Sequence, residues 1–155
     1  MNKKFFALFL CLACANYQLS ATYKSENGYA IDVSKNFNRS IIDVFKLNAT
    51  TTENFTTNVT ILIQDLSADM TLDWYIKMSK QQYEQMQAMI LETSDVKVGD
   101  LSAKKLVVIA GGFKFLHVCV VKDCKAYLLT YTATSNGYEE NLAEVEKMIS
   151  SWKFE

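Results

Sequence analysis

The sequence contains no proline, five glycines, one histidine and, among its 16 basic residues, a single arginine. Each shortage excludes something. Without proline there is no stiff proline-rich linker, and no low-complexity tract or internal repeat marks a domain boundary. Arg39 alone carries a guanidinium. Phosphate recognition favours the planar arginine fork and clustered positive charge, so nucleic acid is not an expected partner. Gly111-Gly112 is a lone pair with no phosphate-binding pattern after it, and Asp65, Asp69 and Asp73 lack the glycine-centred spacing of a calcium loop. No Gly-x-Ser-x-Gly or metalloprotease motif occurs. Long apolar runs are scarce too. The one candidate, Phe5 to Ala15, is about half the 20 residues a membrane-spanning helix needs.

That run is better read as part of a leader. Lys3 and Lys4 form a short positive end, the apolar stretch follows, and Leu19-Ser20-Ala21 supplies a small-residue cleavage site before Thr22. The expected organisation is a signal peptide over 1–21 and one domain over 22–155, placed in the periplasm or secreted. Removing the leader leaves 14 basic against 17 acidic residues. Two other cuts are readable: Ala13-Cys14-Ala15 is a second small-residue site, and Cys11-Leu12-Ala13-Cys14 resembles a bacterial lipoprotein box that would leave Cys14 lipid-anchored. The box has Cys11 where an aliphatic residue is usual.

What remains, about 130 residues, is enough to bury one core without metals or several disulfides. Tyr29 to Val33, Ser40 to Leu47 and Asn58 to Gln64 read as strands, and the Thr- and Asn-rich stretch from Asn48 to Asn58 as a loop. The period then changes. Leu72, Ile76, Ser79, Tyr83, Met86 and Ile90 recur at steps of three and four, with Thr71 as N-cap and Asp73 in the first turn. Leu106 to Ala110 is a continuous apolar run, as in a strand covered on both faces. Phe113 to Val121 alternates, and the chain returns as Ala126 to Ala133 after a hairpin near Lys122-Asp123. Asn136 with Glu139 reads as a capping box, and Tyr138, Leu142, Val145, Ile149 and Trp152 mark one face of a closing helix. Six strands and two helices predict an α+β domain, an antiparallel sheet with helices packed on it.

Three segments resemble the PsbP superfamily, which includes the extrinsic photosystem II subunit and bacterial periplasmic relatives such as DcrB. The longest is VVKDCKAYLLTYTATSNGYEENLAEVEKMISSWKF, Val120 to Phe154, with its turn, Ala-Tyr, strand ending Thr-Tyr-Thr-Ala and helix closing on aromatic-Lys-Phe. NGYAIDVSKNF resembles the family's opening hairpin, and NVTILIQDL followed by TLDWYIKMSKQQY its strand-then-helix step. The resemblance implies an α/β/α sandwich around an antiparallel sheet. It also implies an accessory, assembly or binding protein without enzymatic activity or cofactor, whose partner is an unidentified protein or envelope component. Nothing in the residues argues for attachment to a photosystem. Relatives often carry glycine where this chain has Cys124, so the turn geometry there is open.

The candidate chemistry is sparse. His117 shares a strand face with Cys119, and Cys124 lies across the hairpin. A Cys119–Cys124 disulfide is the first reading, and buried free thiols the second. A zinc site of His117, Cys119 and Cys124 lacks a visible fourth ligand, and a Cys–His nucleophilic pair lacks a third group. Glu139, Glu140, Glu144 and Glu146 read as a solvated helix face. Trp74, Met78, Met86 and Met89 enlarge the apolar surface of the first helix; they either pack in the core or form an adaptable binding surface. Asn38, Asn48, Asn54 and Asn58 each begin an Asn-x-Ser/Thr sequon, which matters only in a eukaryotic source.

Overall fold

The computed structural model describes residues 21–34, 37–39, 44–47 and 55–155. Leader residues 1–20, with the alternative cleavage sites and Cys14, and the sequon asparagines Asn48 and Asn54 lie outside them.

The described chain runs β1 (Ala21–Lys24), β2 (Tyr29–Val33), β3 (Phe37–Arg39), β4 (Val44–Leu47), β5 (Asn58–Asp65), α1 (Leu72–Gln85), β6 (Met89–Val98), β7 (Leu101–Ala110), β8 (Phe113–Lys122), β9 (Lys125–Thr134), α2 (Tyr138–Ser151) and β10 (Lys153–Phe154). Seven strands form one sheet in the order β3-β4-β5-β9-β8-β7-β6; the other three form a small sheet, β1-β2-β10. Every recorded pairing is antiparallel. This is the α+β class expected from the sequence.

Alternation along β7, β8 and β9 sends successive side chains to opposite faces of the large sheet. On one face Val107, Leu116, Val118, Val120, Leu129 and Tyr131 meet Tyr138, Val145 and Met148 of α2, together with Tyr29 and Ile31 of the small sheet and Trp152. On the other, Leu106, Val108 and Cys119 meet Ile76 of α1. The apolar run Leu106-Val107-Val108 is thus buried on both sides, which is why it does not alternate.

Two tight turns with consecutive positive φ values link the strands from β7 to β9. Gly111 and Gly112 (φ 58° and 86°) join β7 to β8. Asp123 and Cys124 (φ 50° and 57°) join β8 to β9, with Lys122 opposite Lys125. Two consecutive positive φ values are what a two-residue hairpin with the sheet's twist demands. Cys124 therefore adopts the backbone that glycine would adopt more easily. Cys124 thus sits in the turn itself, not on a strand opposite Cys119.

The helices differ from expectation in two details. Thr71 caps α1 as predicted, its hydroxyl accepting from Trp74 N at 3.2 Å. But α1 stops at Gln85. Ala88 N donates to Tyr83 O at 2.9 Å and Gln87 N to Glu84 O at 3.0 Å, with Gln87 at φ 57°. That is a Schellman stop, and Ile90 beyond it belongs to β6. At α2 the cap is Gly137 rather than Asn136, with no side-chain cap bond to the helix. The Gly137 N–H instead donates back to the carbonyl (3.1 Å) and hydroxyl (3.2 Å) of Thr134.

Candidate functional site

The sequence singled out His117, Cys119 and Cys124 as the place where chemistry could reside, and the structure separates them. Cys119 is fully buried beneath α1 and Cys124 is exposed in the β8–β9 turn; both thiols are free. Cys119 pairs with Leu128, three residues from the Lys122–Lys125 end of the ladder. At about 3.3 Å per residue this is about 10 Å, beyond the 7 Å or so that a disulfide tolerates between Cα atoms. The expected Cys119–Cys124 bridge is therefore corrected to two free thiols. The same spacing keeps Cys124 out of any site with His117 and Cys119. Among the described residues no group of three or more His, Cys, Asp or Glu side chains gathers as a metal site.

His117 is held as a core residue. Its Nδ1 lies 2.9 Å from the Thr130 hydroxyl and its Nε2 3.0 Å from the Tyr83 hydroxyl. Its ring stacks between Phe115 (5.9 Å, 7°) and Tyr83 (5.6 Å, 29°). A neutral imidazole donates at one nitrogen and accepts at the other, and two hydroxyls satisfy both roles. Burial holds its pKa down at about 4 and pushes the Cys119 thiol up to about 12. Near neutrality both are uncharged, so Cys119 is a poor nucleophile and His117 a poor general base. The buried-thiol reading fits Cys119.

A different region has the features of a binding site. Alpha-helix α1 packs over β6, β7 and β8, leaving the α1 face of β5 partly uncovered. Between them runs a groove of about 360 Å³. Its floor includes Leu62 and Gln64 of β5 and Leu128 of β9; its wall includes Tyr75, Met78, Tyr83 and Met86. The Tyr75 hydroxyl donates to Gln64 Oε1 at 2.5 Å, tying helix to strand at one point. Burial raises both Tyr75 and Tyr83 to about 12, so the wall carries no phenolate charge at neutral pH.

All four residues read as candidates on the first helix are exposed: Trp74 at 49%, Met78 at 38%, Met86 at 68% and Met89 at 62%. Core packing is thus not their role. Only Met78 and Met86 line the groove. Trp74 sits one turn before Met78, and Met89 lies on β6, on the far side of the helix, beside a bulge between Ile90 and Glu92. Leu62, 51% exposed, was missed. The signal was present: in an alternating strand whose Val59, Ile61 and Ile63 fill one face, an extra large apolar residue marks a second face that also meets something. Of the sequons, Asn58 is buried, its amide nitrogen donating to Thr56 O at 2.9 Å, so it offers no accessible glycosylation site. Glu139 pairs with Lys114 at 2.8 Å across the surface, in keeping with a solvated helix face.

No family profile matches the sequence, and no curated protein matches it. Solved structures do. The cyanobacterial PsbP protein (CyanoP) of Synechocystis superposes with a TM-score of 0.62 at 14% identity, over 92% of this chain and 98% of that one. The chain has the PsbP-like fold. A Pseudomonas aeruginosa protein of unknown function superposes on it at a TM-score of 0.63 and 14% identity, covering 84% of this chain and 94% of the other. A Bacteroides thetaiotaomicron structure matches at 0.54 and 15% identity, over 86% of this chain and 48% of that one. At such identities the likeness carries the fold alone. No helix among the described residues is long and apolar enough to cross a membrane.

Proposed function

We propose that this PsbP-like chain is an exported accessory protein without catalytic activity. In this reading residues 22–155 act as one domain, outside the cytoplasm, by holding a protein or envelope component in the groove between α1 and β5. The observation that carries it is the exposure of Leu62, Met78 and Met86 around one concavity, while the only histidine and the buried thiol are locked in neutral forms. Methionine adapts to irregular apolar partners, and large apolar groups clustered at a surface mark interaction sites. The leader pattern supports export, and the shared architecture with the cyanobacterial PsbP protein supports a non-enzymatic role.

The test uses the full-length gene in its native host. N-terminal sequencing of the mature product should begin at Thr22; a lipid-modified Cys14 would move the protein to a membrane-anchored form, and an intact leader on cytosolic protein would refute export. Crosslinking in intact cells should trap a partner that Met78→Glu loses and Lys147→Glu retains. Equal trapping by both variants would move the binding surface away from the groove. Stoichiometric metal in the purified protein would revive the reading centred on His117.

A further inference from the structure

Beta-strand β5 pairs with β9 along its whole length, Asn58 to Asp65, but with β4 only from Asn58 to Thr60. From Ile61 to Asp65 the side facing away from β9 is, among the described residues, a free strand edge. Its outward N–H and C=O groups are a template for another strand, and proteins ordinarily blunt such edges with charges or bulges. The opposite edge of the same sheet is blunted: β6 carries the bulge between Ile90 and Glu92, then Glu92, Asp95 and Lys97. Ile61-Leu62-Ile63 has neither device.

This open run borders the groove, with Leu62 belonging to both. Asp65 also lines the groove, its carboxylate exposed and 3.8 Å from Lys125 Nζ. Among the described residues no basic side chain lines the groove. Resting on the accessory reading above, we propose that the occupant is an extended segment of a partner protein that adds as a strand to β5 over Ile61–Asp65. Apolar side chains at alternate positions of that segment enter the groove against Leu62, Met78 and Met86. A lysine or arginine at one end meets Asp65. The chemistry selects this occupant: a lipid chain fills the groove but leaves the backbone groups of β5 unanswered, and a helix cannot pair with them at all. A strand satisfies both, with main-chain bonds supplying affinity and alternate side chains specificity. Five residues of edge span about 17 Å, enough for one short segment.

The probe is a random twelve-residue peptide library, selected against the leaderless protein and followed by titration of individual hits. Enriched sequences should alternate apolar residues at a spacing of two and end in Lys or Arg. Leu62→Arg, a change at a half-exposed side chain, should weaken them at least about tenfold. N-methylation of alternate peptide amides should do the same, because it removes main-chain bonds and leaves the side chains in place. Trp74→Ala, outside the groove, should leave them unchanged. Failure to select any sequence overturns the proposal, as does equal binding to Leu62→Arg, indifference to N-methylation, or apolar spacings of three and four. If the crosslinked cellular partner survives Leu62→Arg, the strand-addition site falls while an accessory role through another surface stands.

Discussion

The two faces of the seven-stranded sheet are built to different standards. The α2 face is sealed: Trp152, Tyr29, Tyr131, Ile31, Leu116 and Leu129 are all fully buried, and Tyr29 meets Trp152 edge-on at 6.3 Å. The α1 face buries Ile76, Leu106, Val108, Cys119 and Ala126 with the polar ring of His117, and leaves Leu62, Met78 and Met86 in contact with solvent. Both helices have 14 residues, so helix length does not account for the contrast. The small sheet does: β1-β2-β10 extends the cover on the α2 face, where β2 packs against α2, and nothing described extends it on the other. One face supplies cohesion, and the other retains apolar surface beyond what cohesion requires.

The largest expected effect lies on the sealed face. Trp152→Ala should cost about 3–5 kcal/mol in urea or thermal unfolding, the usual penalty for deleting a buried aromatic side chain. Leu62→Ala, removing a comparable kind of contact on the open face, should cost about 1 kcal/mol or less. If the two changes cost the same, the faces are not different in kind. Trp152→Phe sharpens the point. The indole N–H is buried with no hydrogen-bond partner among the described residues, so losing it forfeits packing volume but no bond. That variant should retain most of the stability Trp152→Ala loses.

Next in size is a pH effect confined to the α1 face. The unfolded chain protonates His117 near its ordinary pKa of 6.5, whereas burial holds the folded group at about 4. Between those values protons bind the unfolded state and not the folded one. The contribution is therefore intact above pH 6.5 and is lost as the pH falls toward 4, by about 3 kcal/mol at most. His117→Gln should flatten that part of the stability curve. Because Tyr83 carries the hydroxyl on Nε2, acid should loosen α1 before α2, seen as faster amide exchange in Leu72–Gln85 than in Tyr138–Ser151. A curve of unchanged slope in the variant would remove His117 as its origin.

Much of the sealed face was legible from sequence, and the open face was not, for a physical reason. Strong periodicity comes from burial on one side. Tyr138, Val145 and Trp152 repeat cleanly because they face one core, whereas Leu116 to Val120 is buried at every position because both faces of β8 are covered. On the open face the period ran past its true end. Met86 and Ile90 kept helical spacing while the backbone had already turned at Gln87, a residue with no glycine signature. Strand β6 was missed for a related reason: an edge strand with charges and a bulge has no alternating pattern to read. The disulfide expectation failed because sequence shows the separation of Cys119 and Cys124 along the chain, not that one of them occupies the turn itself. The groove combines residues from three elements, and no local pattern reports it. The hints the sequence held were single residues, Met78, Met86 and Leu62, each too apolar for a surface.

The smallest predicted effects test whether the open face is also the less settled in its backbone. Gln87 ends α1 at φ 57°, a conformation that costs a side-chain-bearing residue about 1 kcal/mol and glycine almost nothing. Cys124, at the same φ of 57°, bears the same cost in the hairpin between β8 and β9. Gln87→Gly and Cys124→Gly should each raise stability by about 0.5–1 kcal/mol, since the entropy glycine adds to the unfolded chain offsets part of the relief. The two should part company in exchange experiments. Gln87→Gly should slow local opening of α1 and leave α2 untouched, because its bonds run only to Glu84 and, through Ala88, to Tyr83. Cys124→Gly acts on strands shared by both faces and should slow opening on both. If Gln87→Gly protected α2 as strongly as α1, the two faces would open as one unit, and the groove would be as rigid as the core behind it.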